Sequence, residues 1–154
     1  MSRKGADFAL LLLAVFRRLA DAATAELARR GHPDFRPVHD FALRAIADGA
    51  ANATELGRRT GVSKQAAAKT IAALEQEGYV TRSSDTGDAR RKLLSVTARG
   101  REVMTTGEAI FQDLHRQMEE AIGRDALADM ERHLTRLVGK DVVPPWRDQD
   151  AGRD

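Results

Sequence analysis

The sequence predicts a mainly α-helical fold carrying one small two-stranded β-ribbon, and three observations predict it. Apolar residues recur at steps of three and four along most of the chain. One stretch, 79–96, is β-prone on both sides of a polar tip. Nearly every periodic run is bounded by glycine, proline or a capping residue. With 154 residues the chain can form one domain with its own core, or a small domain whose outer helices are shared with a partner.

A first helix carries Phe8, Leu12, Val15, Phe16, Leu19, Ala23 and Leu27 on one stripe and ends near Gly31, with Pro33 just beyond. Its most apolar run, the nine residues Phe8 to Phe16, is followed by Arg17 and Arg18 and is too short to span a bilayer. No small-residue cleavage site follows it, so it does not read as a signal peptide. A second helix, from Pro37 to Ala47, repeats the period through Val38, Phe41, Ala42, Ala45 and Ile46 and breaks at Asp48-Gly49.

Asn52-Ala53-Thr54-Glu55 has capping-box spacing, with Asn52 accepting from the backbone of Glu55 and Glu55 reaching back. A short third helix runs from Ala53 to Arg59 or Thr60. Gly61 permits a left-handed turn, Val62 is placed to plug the core, and Ser63 caps a fourth helix. That helix runs to about Glu77 and stops at Gly78.

Tyr79 to Arg82 and Lys92 to Val96 form the ribbon, and 83–91, with Asp85, Gly87 and Asp88, its charged tip. Thr97 caps a fifth helix whose seam is Val103, Met104, Ile110, Phe111, Leu114, Met118 and Ile122. The seam breaks around Gly123, and a sixth helix carries Leu127, Met130, Leu134, Leu137 and Val138. Residues 144–154 have no periodicity and read as a disordered tail.

Composition narrows the function. The chain has no cysteine, so disulfides, thiolate metal sites and thiol redox switches are excluded, and a reducing cytoplasm is the simplest home. Net charge is only +2, but 1–57 balance to +1, 58–101 to +6 and 102–154 to −5. A basic middle between neutral and acidic flanks is what a DNA-facing module shows, because phosphate neutralisation needs cations gathered locally.

Helix, tight glycine turn, helix and charged ribbon, all inside that basic segment, is the order of a winged helix-turn-helix. At 100° per residue the fourth helix puts Ala67, Thr70, Ile71 and Leu74 on one side and Gln65, Ala68, Lys69, Ala72 and Gln76 on the other. The free face is small enough to lie close to a groove wall, with Gln65 suited to adenine and Lys64 and Lys69 to phosphates. Arg90 and Arg91 sit where the ribbon turns back and suit a narrow minor groove, and Asp88 is spaced to hold the Arg90 guanidinium. The expected DNA-binding set is Ser63, Lys64, Gln65, Ala68, Lys69, Arg82, Asp88, Arg90 and Arg91.

Other chemistry finds no support in the sequence. His32, His39, His115 and His133 are spread without ligand spacing, and there is neither a phosphate-cradling glycine loop nor a nucleophile elbow. No catalytic residue, metal or cofactor is therefore expected. A single-strand or RNA platform needs exposed aromatics, and Tyr79 is the only aromatic residue between Phe41 and Phe111. The remaining alternative is a winged helix that senses a ligand or binds a protein without binding DNA, for which a +6 segment serves no general purpose.

Over nearly all of 8–140 the chain resembles the MarR family of regulators. The densest match runs through Glu55-Leu56, Gly61-Val62-Ser63-Lys64-Gln65-Ala66, Leu74-Glu75, Gly78-Tyr79-Val80, Asp85-Thr86-Gly87-Asp88-Ala89-Arg90 and Val96-Thr97-Ala98-Arg99-Gly100. Asp85, Asp88 and Arg90 resemble the family's wing signature. Ala68 and Gly87 depart from it, standing where members often carry a polar and a charged residue.

The resemblance implies a two-fold homodimer built from the first, fifth and sixth helices, on pseudo-palindromic double-stranded DNA with recognition helices roughly 34 to 36 Å apart. The organisation is then a dimerisation helix in 1–34, the winged helix-turn-helix in 35–100, dimerisation helices in 101–143 and the tail. It further implies a cytoplasmic repressor relieved by a small aromatic or phenolic effector, with Arg17, Phe35, His39 and Phe41 as candidate ligand residues by position.

Overall fold

In the computed structural model, which describes residues 3–85 and 88–139 with the side chains of 84–92 excepted, six helices and one hairpin follow in the expected order. They are α1 (Lys4–Arg29), α2 (Pro37–Ala47), α3 (Ala53–Thr60), α4 (Lys64–Gln76), β1 (Val80–Asp85), β2 (Asp88–Val96), α5 (Ala98–Ile122) and α6 (Arg124–Val138). Helices α2, α3 and α4 pack with the hairpin into a lobe, while α1 lies along α5 and α6 follows against α5.

The hairpin is longer than the expected ribbon. Its antiparallel register runs from Val80 opposite Val96 to Ser84 opposite Lys92, shifts between Ser84 and Asp85, and closes with Asp85 opposite Asp88. Ladder hydrogen bonds hold a polar stretch in a strand as well as an apolar one, so apolar alternation under-reads such a hairpin. The expected tail begins beyond Gly139 and lies outside the described residues.

Four helices end with a left-handed glycine whose following amide reaches back five residues, and three of them bury the residue that carries that amide. Gly31, Gly49 and Gly78 follow α1, α2 and α4 with φ of 93°, 100° and 77°. After each glycine the next amide reaches back five residues: His32 N–H donates to Leu27 O, Ala50 N–H to Ala45 O and Tyr79 N–H to Leu74 O, each at 2.9 Å. This is the Schellman ending, which satisfies stranded carbonyls and turns the following residue onto the helix. Accordingly His32, Ala50 and Tyr79 are all buried, beside Leu43, Leu56, Ile71, Leu74 and Val103.

Two expectations about packing are corrected. Val62 does not plug the core and stays 41% exposed; its backbone N–H, donating to Gly57 O at 3.0 Å, secures the turn instead. The apolar stripe of α1 is buried only at Ala23 and Leu27, while Phe8, Leu12, Val15 and Phe16 remain exposed, as do Leu10, Leu11 and Leu13 off the stripe. Within one protomer only the second half of α1 has a lobe to pack against. No helix among the described residues is long and apolar enough to cross a membrane.

Candidate nucleic-acid interface

The helix-turn-helix is fixed by caps. Asn52 Oδ1 accepts from Glu55 N at 2.9 Å and opens α3. The carboxylate of Glu55 reaches back to Ala51 N at 3.5 Å, not to Asn52, because it also takes Arg59 at 2.7 Å. The hydrogen bond from Arg59 holds the Glu55 carboxyl below its usual range. Arg59 also donates to Asp48 O at 2.9 Å, stapling α3 to the end of α2.

Gly61 then turns the chain with φ 72°, and Ser63 Oγ accepts from Ala66 N at 3.1 Å to start α4. Ala67, Ile71 and Leu74 are buried, and Lys64, Gln65, Ala68, Lys69, Ala72 and Gln76 are exposed, so the two faces fall where the helical projection puts them. Thr70 is half-buried between them and spends its hydroxyl on Ala66 O at 3.2 Å. Among the described residues neither Lys64 nor Lys69 has an acidic partner.

Arg82, on β1, is held at its Nε by Glu75 Oε1 of α4 at 2.7 Å, and 47% of its side chain is exposed. The bridge ties the hairpin to α4. Asp88, Arg90 and Arg91 belong to β2, but their side chains lie outside the described residues.

Two cavities open beside this lobe. The larger, about 820 Å³, lies between α1, α2 and α5 and is lined by Phe16, Leu19, Asp40, Phe41, Phe111 and Gln112 among others. The smaller, about 420 Å³, shares Phe16 and Phe41 and extends to Val62, Ala67 and Thr70, so α4 forms part of its wall.

Of the four candidate ligand residues, Phe41 lines both cavities and the others line neither. Arg17 is exposed on α1. Phe35 is buried edge-on to Tyr79, with ring centres 5.2 Å apart. His39 Nδ1 accepts from Arg36 N at 3.0 Å and caps α2; burial, with the Arg36 charge, pushes its pKa down.

Sequence reasoning missed Asp40 as a wall of the larger cavity. Arg44 Nε donates to its Oδ2 at 2.8 Å, while Oδ1 is buried with no hydrogen-bond partner among the described residues, and burial raises its pKa against the pull of Arg44. It missed equally the contact of His32, Tyr79 and Arg99, which come from three separate elements. No local spacing signals such a meeting.

Comparison with known proteins follows the same lines. Residues 41–91 match the family model described as the MarR family. No curated protein matches the chain. Among solved structures, the reduced form of MarR from E. coli is 21% identical, with a TM-score of 0.71, over 85% of this chain and 96% of that one. A Mycobacterium tuberculosis MarR family protein in complex with p-aminosalicylic acid is 24% identical, with a TM-score of 0.64, over 85% and 98%. Streptococcus pneumoniae FabT in complex with DNA is 17% identical, with a TM-score of 0.69, over 85% and 92%. Residues 41–91 of this chain are thus similar to the MarR family, and the chain as a whole has the MarR fold.

Proposed function

We propose that this protein is a cytoplasmic, sequence-specific regulator of transcription that binds duplex DNA as a two-fold homodimer and is released by a small aromatic ligand. The exposed face of α4 carries the reading: Lys64, Gln65, Ala68 and Lys69 stand clear of any acidic partner among the described residues, over a buried seam of Ala67, Ile71 and Leu74. A helix with its N-terminal end polar and its middle built of alanine enters a major groove with little steric cost. Ser63, at the cap, keeps its hydroxyl hydrogen for a phosphate, and Arg82 and Arg90 belong to a hairpin placed to flank the groove.

The second copy is called for by the apolar face of α1 together with Met130, Leu137 and Val138 on α6, all exposed in one protomer. A ligand in the smaller cavity would press on Ala67 and Thr70 and so move the recognition helix. The complex of the M. tuberculosis relative with p-aminosalicylic acid supports an aromatic acid as the class to try, and the DNA complex of FabT supports duplex DNA. On this reading the DNA-bound protein represses, as the family resemblance implies, and the ligand relieves it.

Binding to duplex from the protein's own upstream region, against random duplex over a salt series, tests the reading. Affinity for the upstream duplex should exceed that for random duplex by at least about 10³-fold and fall steeply with salt. Equal weak binding to both would sink it and leave a ligand-sensing or protein-binding module.

A further inference from the structure

The ends of α1 and α4 and the start of α5 meet at one hydrogen-bonded joint, buried at His32 and Tyr79 and exposed at Arg99. Two Schellman endings deliver its first two members, His32 and Tyr79, each 2% exposed. His32 Nδ1 stands 3.0 Å from the Tyr79 hydroxyl oxygen. Arg99 supplies the third: its guanidinium lies 4.9 Å over the Tyr79 ring and donates to the same oxygen at 3.5 Å. The same guanidinium donates to Glu77 O at 3.1 Å and Gly31 O at 3.4 Å, so one cation serves the carbonyl ends of two helices.

That arrangement fixes the protons. Arginine is always charged and only donates, so the Tyr79 oxygen accepts from Arg99. Its own hydrogen is then free to go to His32 Nδ1, which accepts it in the neutral Nε2–H tautomer. A second proton, on Nδ1, would make the ring a cation aimed at that oxygen and leave the tyrosine hydrogen without an acceptor. The surroundings oppose such a proton: burial first and the Arg99 charge second hold the His32 pKa below its usual value, against a weaker pull from Glu102. Other charges do not reverse this. Glu77 acts on Tyr79, Arg29 and Arg30 at the end of α1 are paired with Glu26, and His39 reaches the joint only through the Phe35 ring.

We propose that His32, Tyr79 and Arg99 form a proton-operated latch, closed while His32 is neutral and opened by its protonation, which frees the ends of α1 and α4 from the start of α5. The consequence reaches the hairpin, because β1 starts at the residue after Tyr79 and Thr97 Oγ1 donates to Gly78 O at 2.6 Å across its base. On the DNA-binding reading above, acid then loosens the seat of recognition helix and wing together.

The test follows the His32 ring by NMR through a pH titration of the full chain, with amide exchange of His32 and Tyr79 measured alongside. In the wild type the ring should titrate below the usual imidazole value, and both amides should lose protection together at its midpoint. Tyr79→Phe keeps the ring under Arg99 but removes the oxygen, and should move the midpoint upward. His32→Gln accepts the tyrosine hydrogen without titrating and should keep both amides protected through the same range. An unmoved midpoint in Tyr79→Phe, or wild-type amides that stay protected through the titration, overturns the latch.

With DNA at fixed salt, wild-type affinity should fall more steeply than that of His32→Gln, by up to about tenfold per pH unit for one coupled proton. Equal pH slopes with measurable binding would overturn the link to DNA. Absence of DNA binding at every pH would instead overturn the regulator reading, and the ring and amide measurements would still decide the latch.

Discussion

Lys69 stands on the exposed side of α4 one turn beyond Gln65, and among the described residues nothing acidic holds it. A flexible ammonium in that place meets phosphate as a point charge and reads no bases. Lys69→Ala should therefore weaken binding about equally on every duplex and lower the slope of log affinity against log salt by about one. A loss confined to one base position, seen in a salt series on two unrelated duplexes, would make it a base contact. His39 is a residue of a different kind, because its ring nitrogen caps α2 only while unprotonated. Its folded pKa lies below 6.5, so between the two values the unfolded chain holds the extra proton and stability falls as pH falls. His39→Gln keeps an acceptor at the same place in the capping box without titrating. Its melting temperature should drop less than the wild type's between about pH 7 and 5, with His32 contributing to the remaining fall. Parallel melting curves for the two proteins would remove His39 from the pH response.

At the scale of elements, the start of α4 is capped by a single hydroxyl, since Ser63 Oγ takes the Ala66 amide. Ser63→Ala should cost about 0.5–2 kcal/mol in denaturant unfolding. Ser63→Asp should recover most of that while weakening DNA binding, because it sets a negative charge against phosphate. Unchanged unfolding in Ser63→Ala would mean that packing alone holds the helix. Caps of this kind made the elements legible in the sequence: Asn52, Ser63 and Thr97 each accept the amide three residues on, where their spacing put them. The helical period was as informative for α4, whose buried and exposed faces divide as projected. It failed where pairing or assembly decides the outcome. The hairpin runs to Asp85 and Asp88 on ladder bonds that polar residues make as readily as apolar ones. Val62 looked like a core residue by type alone, yet the turn at Gly61 needs only its backbone.

At the scale of the whole molecule, the parts of the site lying on one element were legible and those assembled from several were not. The exposed lysines share a helix with Gln65, so their spacing revealed them. Asp40, Phe111 and Gln112 come together only when α2 and α5 pack, and the joint of His32, Tyr79 and Arg99 spans three junctions. The same limit applies to assembly. The stripe from Phe8 to Leu27 reads as one continuous packed face, but the protomer buries only its second half. On the dimer reading the first half is completed by a second copy, and that separates two outcomes for a charge placed there. Val15, on that stripe, is 47% exposed, so Val15→Asp removes no core contact of the protomer and should leave its helical content and fold intact. It should nevertheless bury a charge at the α1 contact and split the dimer, halving the mass seen by light scattering. A single lobe then meets one half-site without the second held near it, so affinity for a two-site duplex should fall by about 10²–10⁴-fold while affinity for one half-site stays unchanged. A Val15→Asp protein that remains a dimer would take this face of α1 out of the interface, leaving the exposed apolar residues of α6 to form it.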